Sequence, residues 1–159
     1  MSLDEVQFRI ACGYFATGVA VVTMRDQAGQ HHGFTANSFA SVSLSPPLVL
    51  VCVDKTISSH PPMTEAGGFI FNILTDQQEE LARRFATPDI DKFEDVQTAP
   101  GEYGAPRIPG CLAYIAARSH SRQDGGDHTI FIGEATQYEL GTGLPLIFYR
   151  GMYGVPGPL

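Results

Sequence analysis

The stretch that decides the fold reads GFTANSFASVSLSPPLVL, from Gly33 to Leu50. Its first half is small and polar, and Ser41 and Ser43 then recur two apart, as on a half-buried strand. The pair Pro46-Pro47 breaks that strand, and the chain after it is wholly apolar. Small polar side chains let a ligand approach the backbone, while a rigid turn and a buried strand hold them still. The stretch predicts one wall of a small-molecule site on a β scaffold.

Length and charge limit the class of protein. The 159 residues fit one domain, 1–159, which is long enough to bury roughly 70% of its unfolded surface. A net charge of -7 with only 10 Lys plus Arg excludes the basic footprint of a nucleic-acid partner. An anionic ligand must therefore be held by local donors. The chain has two lysines, Lys55 and Lys92, and each becomes a candidate for that task.

The cysteines and the apolar runs indicate a cellular location. Cys12, Cys52 and Cys111 are odd in number, far apart and set among apolar neighbours, which predicts buried, reduced thiols. No apolar run approaches the roughly 20 residues of a membrane span, and the N-terminus lacks a signal-peptide pattern. We expect a soluble cytoplasmic protein with no membrane partner.

Three short helices are predicted from caps and periodicity. Ser2 and Glu5 form a capping box before apolar residues at helical spacing, and Gly18 is the expected end. Ser59 precedes two prolines and should cap a second helix that ends at 67–68. A second capping box, Thr75 with Gln78, opens the third helix.

About seven strands are predicted, and few of them alternate with helices. Eight segments are the candidates for them: residues 19–24, 31–34, 39–44, 48–53, 69–74, 112–118, 129–140 and 146–149. Residues 48–53 are expected to be buried on both faces, and 87–109 to form a long acidic loop of the kind that often serves as an active-site lid. The pattern favours a mainly antiparallel β-barrel with a few short helices over a doubly wound sheet, for which the G-x-G-x-x-G turn is absent.

One histidine is placed at a turn. In the sequence GGDHT, residues 125–129, His128 follows a turn between two strands. This is either a hairpin turn with an exposed histidine or an imidazole placed to hydrogen-bond a ligand. No second histidine or carboxylate recurs at ligand spacing, and adjacent His31 and His32 point opposite ways on a strand, so no metal site is predicted.

Two further segments leave alternatives open. DKTISSH, residues 54–60, holds hydroxyls, loop amides, a lysine and a helix start, which are the parts of a phosphate site or of an ordinary capped loop. YRGMY, residues 149–153, is either a terminal strand with aromatic packing or a tyrosine-lined pocket edge. A serine hydrolase is excluded because the chain has no G-x-S-x-G elbow.

Five segments taken in order resemble one known family. They are FRIACGYFATGVAVVT (8–23), residues 33–53, FIFNILTDQQEELARRF (69–85), GDHTIFIG (126–133) and residues 145–153. Together they resemble the flavin reductase family, small NAD(P)H-dependent enzymes that supply reduced flavin to two-component monooxygenases. The resemblance implies the FMN-binding split barrel, a Greek-key type of antiparallel β-barrel. It also implies a homodimer with flavin near the subunit interface.

The resemblance also implies residue roles. Along the ribityl chain and the ring it places Thr35, Ala36, Asn37 and Ser38. Toward the flavin phosphate it places Cys52, Lys55, Ser58 and Ser59. Near the nicotinamide it places His128 as the catalytic residue, with Tyr149 and Tyr153 at the same cleft.

The implied reaction moves a hydride from NADH or NADPH to FMN or FAD, for which no catalytic carboxylate is needed. A neutral His128 would orient the nicotinamide carboxamide. The alternative is a non-enzymatic flavin carrier or storage protein of the same fold. A pyridoxamine-phosphate oxidase-like enzyme would need more arginines near the phosphate. The tail GVPGPL, 154–159, is expected to be disordered or to cover the partner subunit.

Overall fold

Three short helices sit around a β structure in the computed structural model, which describes residues 3–157. They are α1 (Glu5–Cys12), α2 (His60–Glu65) and α3 (Glu79–Ala86), and single 3-10 turns cover Asp76–Gln78 and Glu102–Gly104. Within residues 3–157, no helix is long and apolar enough to cross a membrane.

Twelve strands make up the rest of the regular structure in the described chain. They are β1 (Thr17–Gly18), β2 (Ala20–Arg25), β3 (His31–Ala36), β4 (Ala40–Leu44), β5 (Pro47–Asp54), β6 (Gly68–Ile73), β7 (Ala99–Pro100), β8 (Pro106–Arg107), β9 (Ala113–Gly125), β10 (His128–Leu140), β11 (Ile147–Tyr149) and β12 (Met152–Gly154). The prediction of a mainly antiparallel β protein with a few short helices is confirmed.

The main sheet has seven antiparallel strands in the order β3-β2-β6-β9-β10-β5-β4. Its two edge strands, β3 and β4, follow one another in the chain and are separated only by residues 37–39. Such a short connection forces the sheet to curl until its edges approach each other. A smaller sheet, β1-β11-β12, lies alongside α1, where the backbone N–H of Arg150 donates to the carbonyl of Gly13 at 2.9 Å.

The largest core cluster fills the inside of the curled sheet and contains Val22, Met24, Phe69, Phe71 and Phe131. A second cluster on the outer side packs α3 against β2. Strands β2 and β6 are therefore buried on both faces. The prediction that residues 48–53 are buried on both faces is wrong, because β5 alternates between buried and half-buried residues and no further layer covers its outer face.

Helix α1 differs from the prediction at both ends. Ser2 lies outside the described residues, and the cap is Asp4, whose carboxylate accepts from the backbone N–H of Val6 at 2.9 Å. The helix ends at Cys12, and the expected end, Gly18, lies in β1. Cys12 is exposed, so the expectation that all three cysteines are buried is wrong for that residue.

The other two helices begin near their predicted caps. The capping box of Thr75 and Gln78 is confirmed, since the backbone N–H of Thr75 donates to the Gln78 side chain at 3.0 Å. It places Ala82 and Phe85 of α3 against the outer core cluster. Ser59 precedes α2 but makes no side-chain capping bond, so its predicted role as a cap is wrong.

The predicted loop 87–109 is ordered in its second half. Its residues form β7, a 3-10 turn and β8, and Ala105 and Ile108 are buried. Two buried hydrogen bonds fasten it to the sheet: Thr23 Oγ1 donates to the carbonyl of Pro106 at 2.6 Å, and the N–H of Ile108 donates to Asn72 Oδ1 at 2.8 Å. Residues 99–109 are thus part of the packed molecule and do not form a free lid.

Strand β9 is longer than predicted. Sequence periodicity ends it at residue 118, because residues 119–125 (SHSRQDG) are polar throughout. In the structure these residues continue to pair with β10, with one shift of register at His120, and Gly125 stands opposite His128. The hairpin closes on Gly126 and Asp127, with Gly126 at φ 80°, so the predicted turn before His128 is confirmed.

Candidate functional site

The free edge of β3 is the first element of the site. The carbonyl of Gly33 accepts hydrogen bonds from Ser59 Oγ at 3.0 Å and from Lys92 Nζ at 3.3 Å, so it points away from β2, the only neighbour of β3 in the sheet. Backbone groups alternate in direction along a strand, so the amide and the carbonyl of Thr35 face the same free edge. This edge offers main-chain donors and acceptors to a ligand.

The side chains of residues 35–38 (sequence TANS) contribute unequally to that edge. Thr35 donates from its hydroxyl to the carbonyl of Ala82 in α3 at 2.6 Å, and Ala36 points into the core. Asn37 is exposed. Ser38 is half-buried, and its Oγ donates to the carbonyl of Cys52 at 2.9 Å while accepting from the Cys52 N–H at 3.1 Å. Asn37 is the member of this group with a free side chain, and the small size of the others leaves the backbone accessible.

Cys52 links the β3 edge to β5. Its backbone is bound by Ser38, and its thiol lies on the half-buried outer face of the strand. Burial raises the pKa of this thiol, so it stays protonated and neutral at physiological pH. Ser38 and Cys52 therefore place only uncharged side chains between the β3 edge and β5.

His128 lies on the same outer face as Cys52. Cys52 stands opposite Ile130 of β10, and Asp54 stands opposite His128, which places the imidazole about 7 Å further along the strands. The ring is half-buried, with Nδ1 at 2.7 Å from Asp127 Oδ1. Because an ionised carboxylate only accepts, Nδ1 carries a proton in this contact, and in the tautomer with that single proton Nε2 is an acceptor.

Lys55 ties the end of β5 to the turn that carries His128. Its Nζ lies 2.5 Å from Asp124 Oδ1 and 2.5 Å from the carbonyl of Gly126, while its own N–H donates to the carbonyl of Asp127 at 3.0 Å. The hydrogen bond from Lys55 lowers the pKa of Asp124, with a smaller contribution from the lysine charge. The ammonium of Lys55 is thus paired at the surface with a carboxylate of the hairpin.

The two predicted serines differ in accessibility. Ser59 is 3% exposed and its hydroxyl is used by Gly33, whereas Ser58 is exposed. The loop before them is held by Asp54, whose carboxylate accepts from the N–H and the hydroxyl of Thr56, each at 2.7 Å. These bonds lower the pKa of Asp54. Ser58 is the serine whose side chain reaches solvent.

A cleft of about 750 Å³, here called the α1 cleft, opens on the other side of Asn37 and Ser38. It is lined by Val6, Arg9, Ile10, Cys12, Gly13, Phe15, Thr17, Asn37, Ser38, Phe148, Arg150 and Gly151. No carboxylate lines it, although the chain carries 17 acidic residues. Arg9 and Arg150 form no ion pair among residues 3–157. The walls are mainly apolar and aromatic, with two guanidinium groups.

A second cavity of about 240 Å³ continues from this cleft and shares Phe15, Thr17 and Asn37 with it. Thr17 carries a buried hydroxyl that has no hydrogen-bond partner within the described chain. A buried hydroxyl without a partner is costly, and a ligand group placed here would supply the missing bond. The size and the lining of the combined space fit a planar aromatic ligand with an anionic tail.

The closing tyrosines lie close to the cleft without lining it. Tyr149 makes an edge-on contact with Tyr14, with ring centroids 6.3 Å apart. Tyr153 packs against Phe148 at 5.3 Å and below the guanidinium of Arg83 at 5.0 Å. The residues of this segment that line the cleft are Phe148, Arg150 and Gly151, of which Arg150 and Gly151 form the tight β11–β12 turn at φ 50° and 80°.

Sequence reasoning singled out both lysines but missed the cations of the cleft, Arg9 and Arg150. Arg9 and Arg150 lie within two segments of the family resemblance, 8–23 and 145–153, but no local pattern marks either as a ligand of an anion. The signal available was the scarcity of basic residues in an acidic chain, which makes each one a candidate partner for an anion. Among residues 3–157, no group of three or more His, Cys, Asp or Glu side chains could hold a metal ion.

Comparison with known proteins agrees with this geometry. Residues 12–156 match the family model described as the flavin reductase like domain. The chain is 40% identical over 152 residues to the reductase component of a 4-nitrophenol 4-monooxygenase/4-nitrocatechol 2-monooxygenase from Rhodococcus opacus, covering 96% of this chain and 81% of that protein. It is 40% identical over 154 residues to a flavin reductase from Pseudomonas putida, covering 96% and 91%.

A solved structure shows the same fold. The NADH:FAD oxidoreductase of Streptomyces globisporus, in complex with NAD and FAD fragments, superposes with a TM-score of 0.92 at 40% identity, over 99% of this chain and 98% of that one. The chain belongs to the flavin reductase family.

Proposed function

We propose that this protein is an NAD(P)H:flavin oxidoreductase that transfers a hydride from NADH or NADPH to FMN or FAD. The observation that carries the proposal is the free β3 edge at Thr35, which presents main-chain donors beside an aromatic cleft without carboxylates. Hydride transfer between a nicotinamide and a flavin is chemistry that the two bound groups supply themselves. The protein has to bind both rings face to face and stabilise the charge that develops on one of them.

The residues of the site divide this task. The main-chain N–H of Thr35, on the free edge of β3, would donate to the carbonyl edge of the flavin ring, where negative charge develops on reduction. The small side chains of residues 35–38 allow that approach, and Asn37 adds a side-chain amide. The neutral thiol of Cys52 leaves the flavin edge free of a competing negative charge.

His128 orients the nicotinamide in this proposal. Asp127 holds the Nδ1 proton at 2.7 Å, so Nε2 accepts a hydrogen bond from the carboxamide amino group. Lys55 positions the turn that carries this histidine through Gly126 and Asp124. The arginines of the α1 cleft face the phosphates of the nucleotide ligands.

The finer architecture is also proposed. The curled sheet with adjacent free edges is the split barrel of this family, and a second copy of the chain packs against α1. Helix α1 supports the dimer because it has no buried residue although it carries Val6, Phe8 and Ile10. Residues this apolar are normally covered, and a second copy is the partner that the family resemblance implies.

The reduced flavin is passed to a partner monooxygenase. The relative from Rhodococcus opacus is named as the reductase component of such a system, and this chain matches 81% of its length. We place the protein in the cytoplasm, where thiols such as the exposed Cys12 remain reduced.

An anaerobic titration tests the function. The protein is incubated with FMN or FAD and then mixed with NADH or NADPH, and the visible absorbance of oxidised flavin is followed. We expect rapid bleaching with at least one pair of nucleotides, far faster than in protein-free controls. If the spectrum is unchanged with all four pairs although flavin binds tightly, the proposed enzymatic activity is wrong and the alternative, a non-enzymatic flavin carrier, is supported.

A further inference from the structure

Residues 119–122, part of the extension of β9 that sequence periodicity does not predict, form one wall of a cavity. This cavity, here called the hairpin pocket, measures about 200 Å³ and opens between α2, β6 and the β9–β10 hairpin. Within residues 3–157, it shares no lining residue with the α1 cleft, and no residue with a predicted cofactor role lines it. The hairpin pocket is therefore separate from the proposed flavin and nicotinamide site.

The floor of the hairpin pocket is apolar. It is formed by Met63 of α2, Phe69 of β6 and Phe131 of β10, which belong to the core cluster inside the curled sheet. Phe131, the most exposed of the three, is 5% exposed, so the pocket reaches from the surface to the core. An apolar ligand group in contact with these side chains is shielded from water, and this favours its binding.

The mouth of the hairpin pocket is polar. Four consecutive residues of β9 contribute to it, namely Ser119, His120, Ser121 and Arg122. Arg122 is the one with a permanent charge, and none of the residues that line the pocket is acidic. Arg122 forms no ion pair within 4.0 Å among residues 3–157. In a chain with a net charge of -7, this guanidinium is open to an external anion.

A hydrogen bond to α2 holds the Arg122 side chain at the pocket. Its Nη1 donates to the carbonyl of Thr64 at 3.1 Å, which joins the hairpin to the helix. A guanidinium presents several N–H donors in a planar fork, and this bond uses one of them. The remaining donors match the two oxygens of a carboxylate, which a guanidinium binds through two parallel hydrogen bonds.

The acidic residue next to Arg122 on the same face of the strand is engaged elsewhere. Asp124 lines an adjoining cavity that shares Thr64 and Arg122 with the hairpin pocket. Its carboxylate pairs at the surface with Lys55, and the hydrogen bond from that lysine lowers the pKa of Asp124. Because Asp124 and Arg122 are both exposed, solvent and salt screen the repulsion between this carboxylate and an anion at Arg122.

We propose that the hairpin pocket binds a small organic monocarboxylate. Its apolar body, a single ring or a short branched chain, packs on the floor of the pocket, and its carboxylate is bound by Arg122. Such a ligand contacts α2 and both strands of the hairpin at once, so its binding stabilises their packing. The site goes beyond the proposed function, because no cofactor group takes part in it.

Benzoate tests the assignment, since it combines one ring with one carboxylate. It is titrated into the isotope-labelled, full-length protein with excess FMN present, and the shifts of the amide resonances give the binding site and the Kd. We expect saturable shifts at residues 64, 119–122 and 131–132, which line the pocket. Benzamide, which lacks the charge, and acetate, which lacks the ring, should each bind at least about tenfold more weakly.

Two arginine variants separate the pocket from the general surface charge. Arg122→Met keeps an apolar stem and removes the guanidinium, and we expect it to weaken benzoate binding by about tenfold or more. Arg118→Met is the matched control, because Arg118 is an exposed arginine of the same strand that pairs with Glu134 and does not line the pocket. Its benzoate affinity should remain within about twofold of wild type. Arg122→Gln, which can still donate to the Thr64 carbonyl, decides the question if thermal unfolding shows that Arg122→Met is not folded.

Several results would overturn the proposal. An unchanged benzoate affinity in Arg122→Met, or an equal loss in Arg118→Met, contradicts the role of Arg122. Equal affinities for benzoate and acetate would show a surface anion contact only, and shifts confined to residues of the α1 cleft would place benzoate elsewhere. If the protein does not bind FMN, the proposed function falls, while the shifts at residues 119–122 still decide this inference.

Discussion

His128 is the residue whose role depends most on its exact surroundings. It begins β10 at a tight turn, and its Nδ1 is held by Asp127, so Nε2 is directed to a ligand as an acceptor. Removing the ring should leave the flavin contacts along residues 35–38 intact. The histidine is thus separable from flavin binding, which makes its role testable on its own.

We expect His128→Ala to raise the KM for the nicotinamide nucleotide and to slow hydride transfer by about 10- to 100-fold, because one orienting hydrogen bond is lost. Stopped-flow reduction under anaerobic conditions gives both quantities, and a flavin titration gives the Kd. His120→Ala, at an exposed histidine of β9, is the control and should change neither. If flavin affinity collapses in His128→Ala, the assignment to the nicotinamide is wrong.

The cysteines differ in reactivity for a physical reason. Burial raises the pKa of the Cys111 thiol to about 11, whereas Cys12 is exposed. Alkylation requires the thiolate, so at pH 8 iodoacetamide should modify Cys12 much faster than Cys111 in the folded protein. Peptide mass spectrometry at several times measures both rates, and equal rates would contradict the burial of Cys111.

The raised pKa of the Cys111 thiol makes the free energy of unfolding depend on pH in the alkaline range. Its pKa is raised in the folded state, so the unfolded chain releases this proton first as the pH rises. The stabilising contribution is complete below about pH 8.5, where the unfolded thiol is still protonated, and is lost as the pH approaches 11. Urea unfolding of wild type and Cys111→Ala between pH 8 and 10 should show a smaller pH dependence in the variant.

At the scale of elements, the segment 99–109 is held to the sheet by Asn72. The amide of this buried side chain donates to the carbonyl of Val21 at 3.0 Å and to Thr23 Oγ1 at 3.1 Å, and its Oδ1 accepts from the N–H of Ile108 at 2.8 Å. Three buried polar groups, two in β2 and one in the segment 99–109, therefore depend on one residue. This explains why a Pro-rich segment without long strands is ordered.

Asn72→Ala should lower the free energy of unfolding by about 3 kcal/mol, because it leaves buried donors and acceptors without partners. Hydrogen exchange at residues 105–108 should accelerate more than exchange in β9 and β10. Gln77→Ala, which removes an exposed side chain next to α3, serves as the control. Uniform acceleration over the whole chain would show that the segment is not held locally.

For the whole molecule, the unburied face of α1 predicts association. Phe8 is 55% and Leu44 is 93% exposed in the single chain, and such residues rarely remain in water. Burying them against a second copy would also enclose the α1 cleft, because Val6 and Ile10 form part of its wall.

We expect the protein to be a dimer by light scattering at micromolar concentration and Phe8→Glu to shift it toward the monomer with weaker flavin binding. Ile90→Glu, at an exposed position of the loop after α3, should have no effect on association. A wild-type protein that remains monomeric at all concentrations would overturn the dimer and the completed cleft.

Local sequence was a good guide wherever local interactions decide the structure. The capping box at Thr75, the turn before His128 and the strand predicted over 129–140 all depend on residues a few positions apart, and each is confirmed. The prediction for β5 failed because apolar composition does not reveal which faces have neighbours. The loop predicted for 87–109 is wrong over 99–109, because the residues that anchor this part, Thr23 and Asn72, lie far away in sequence.

By itself, the sequence determined the class of fold, the family and the small-residue wall at 33–38, since periodicity, turn chemistry and shared motifs are properties of the chain. Only the tertiary structure decided which charges are paired. Lys55 and Lys92 cannot be distinguished from the sequence, because one is paired at the surface with Asp124, 69 positions away, and the other is brought to Gly33, 59 positions away. Ion pairing acts through space, so it is decided by the fold.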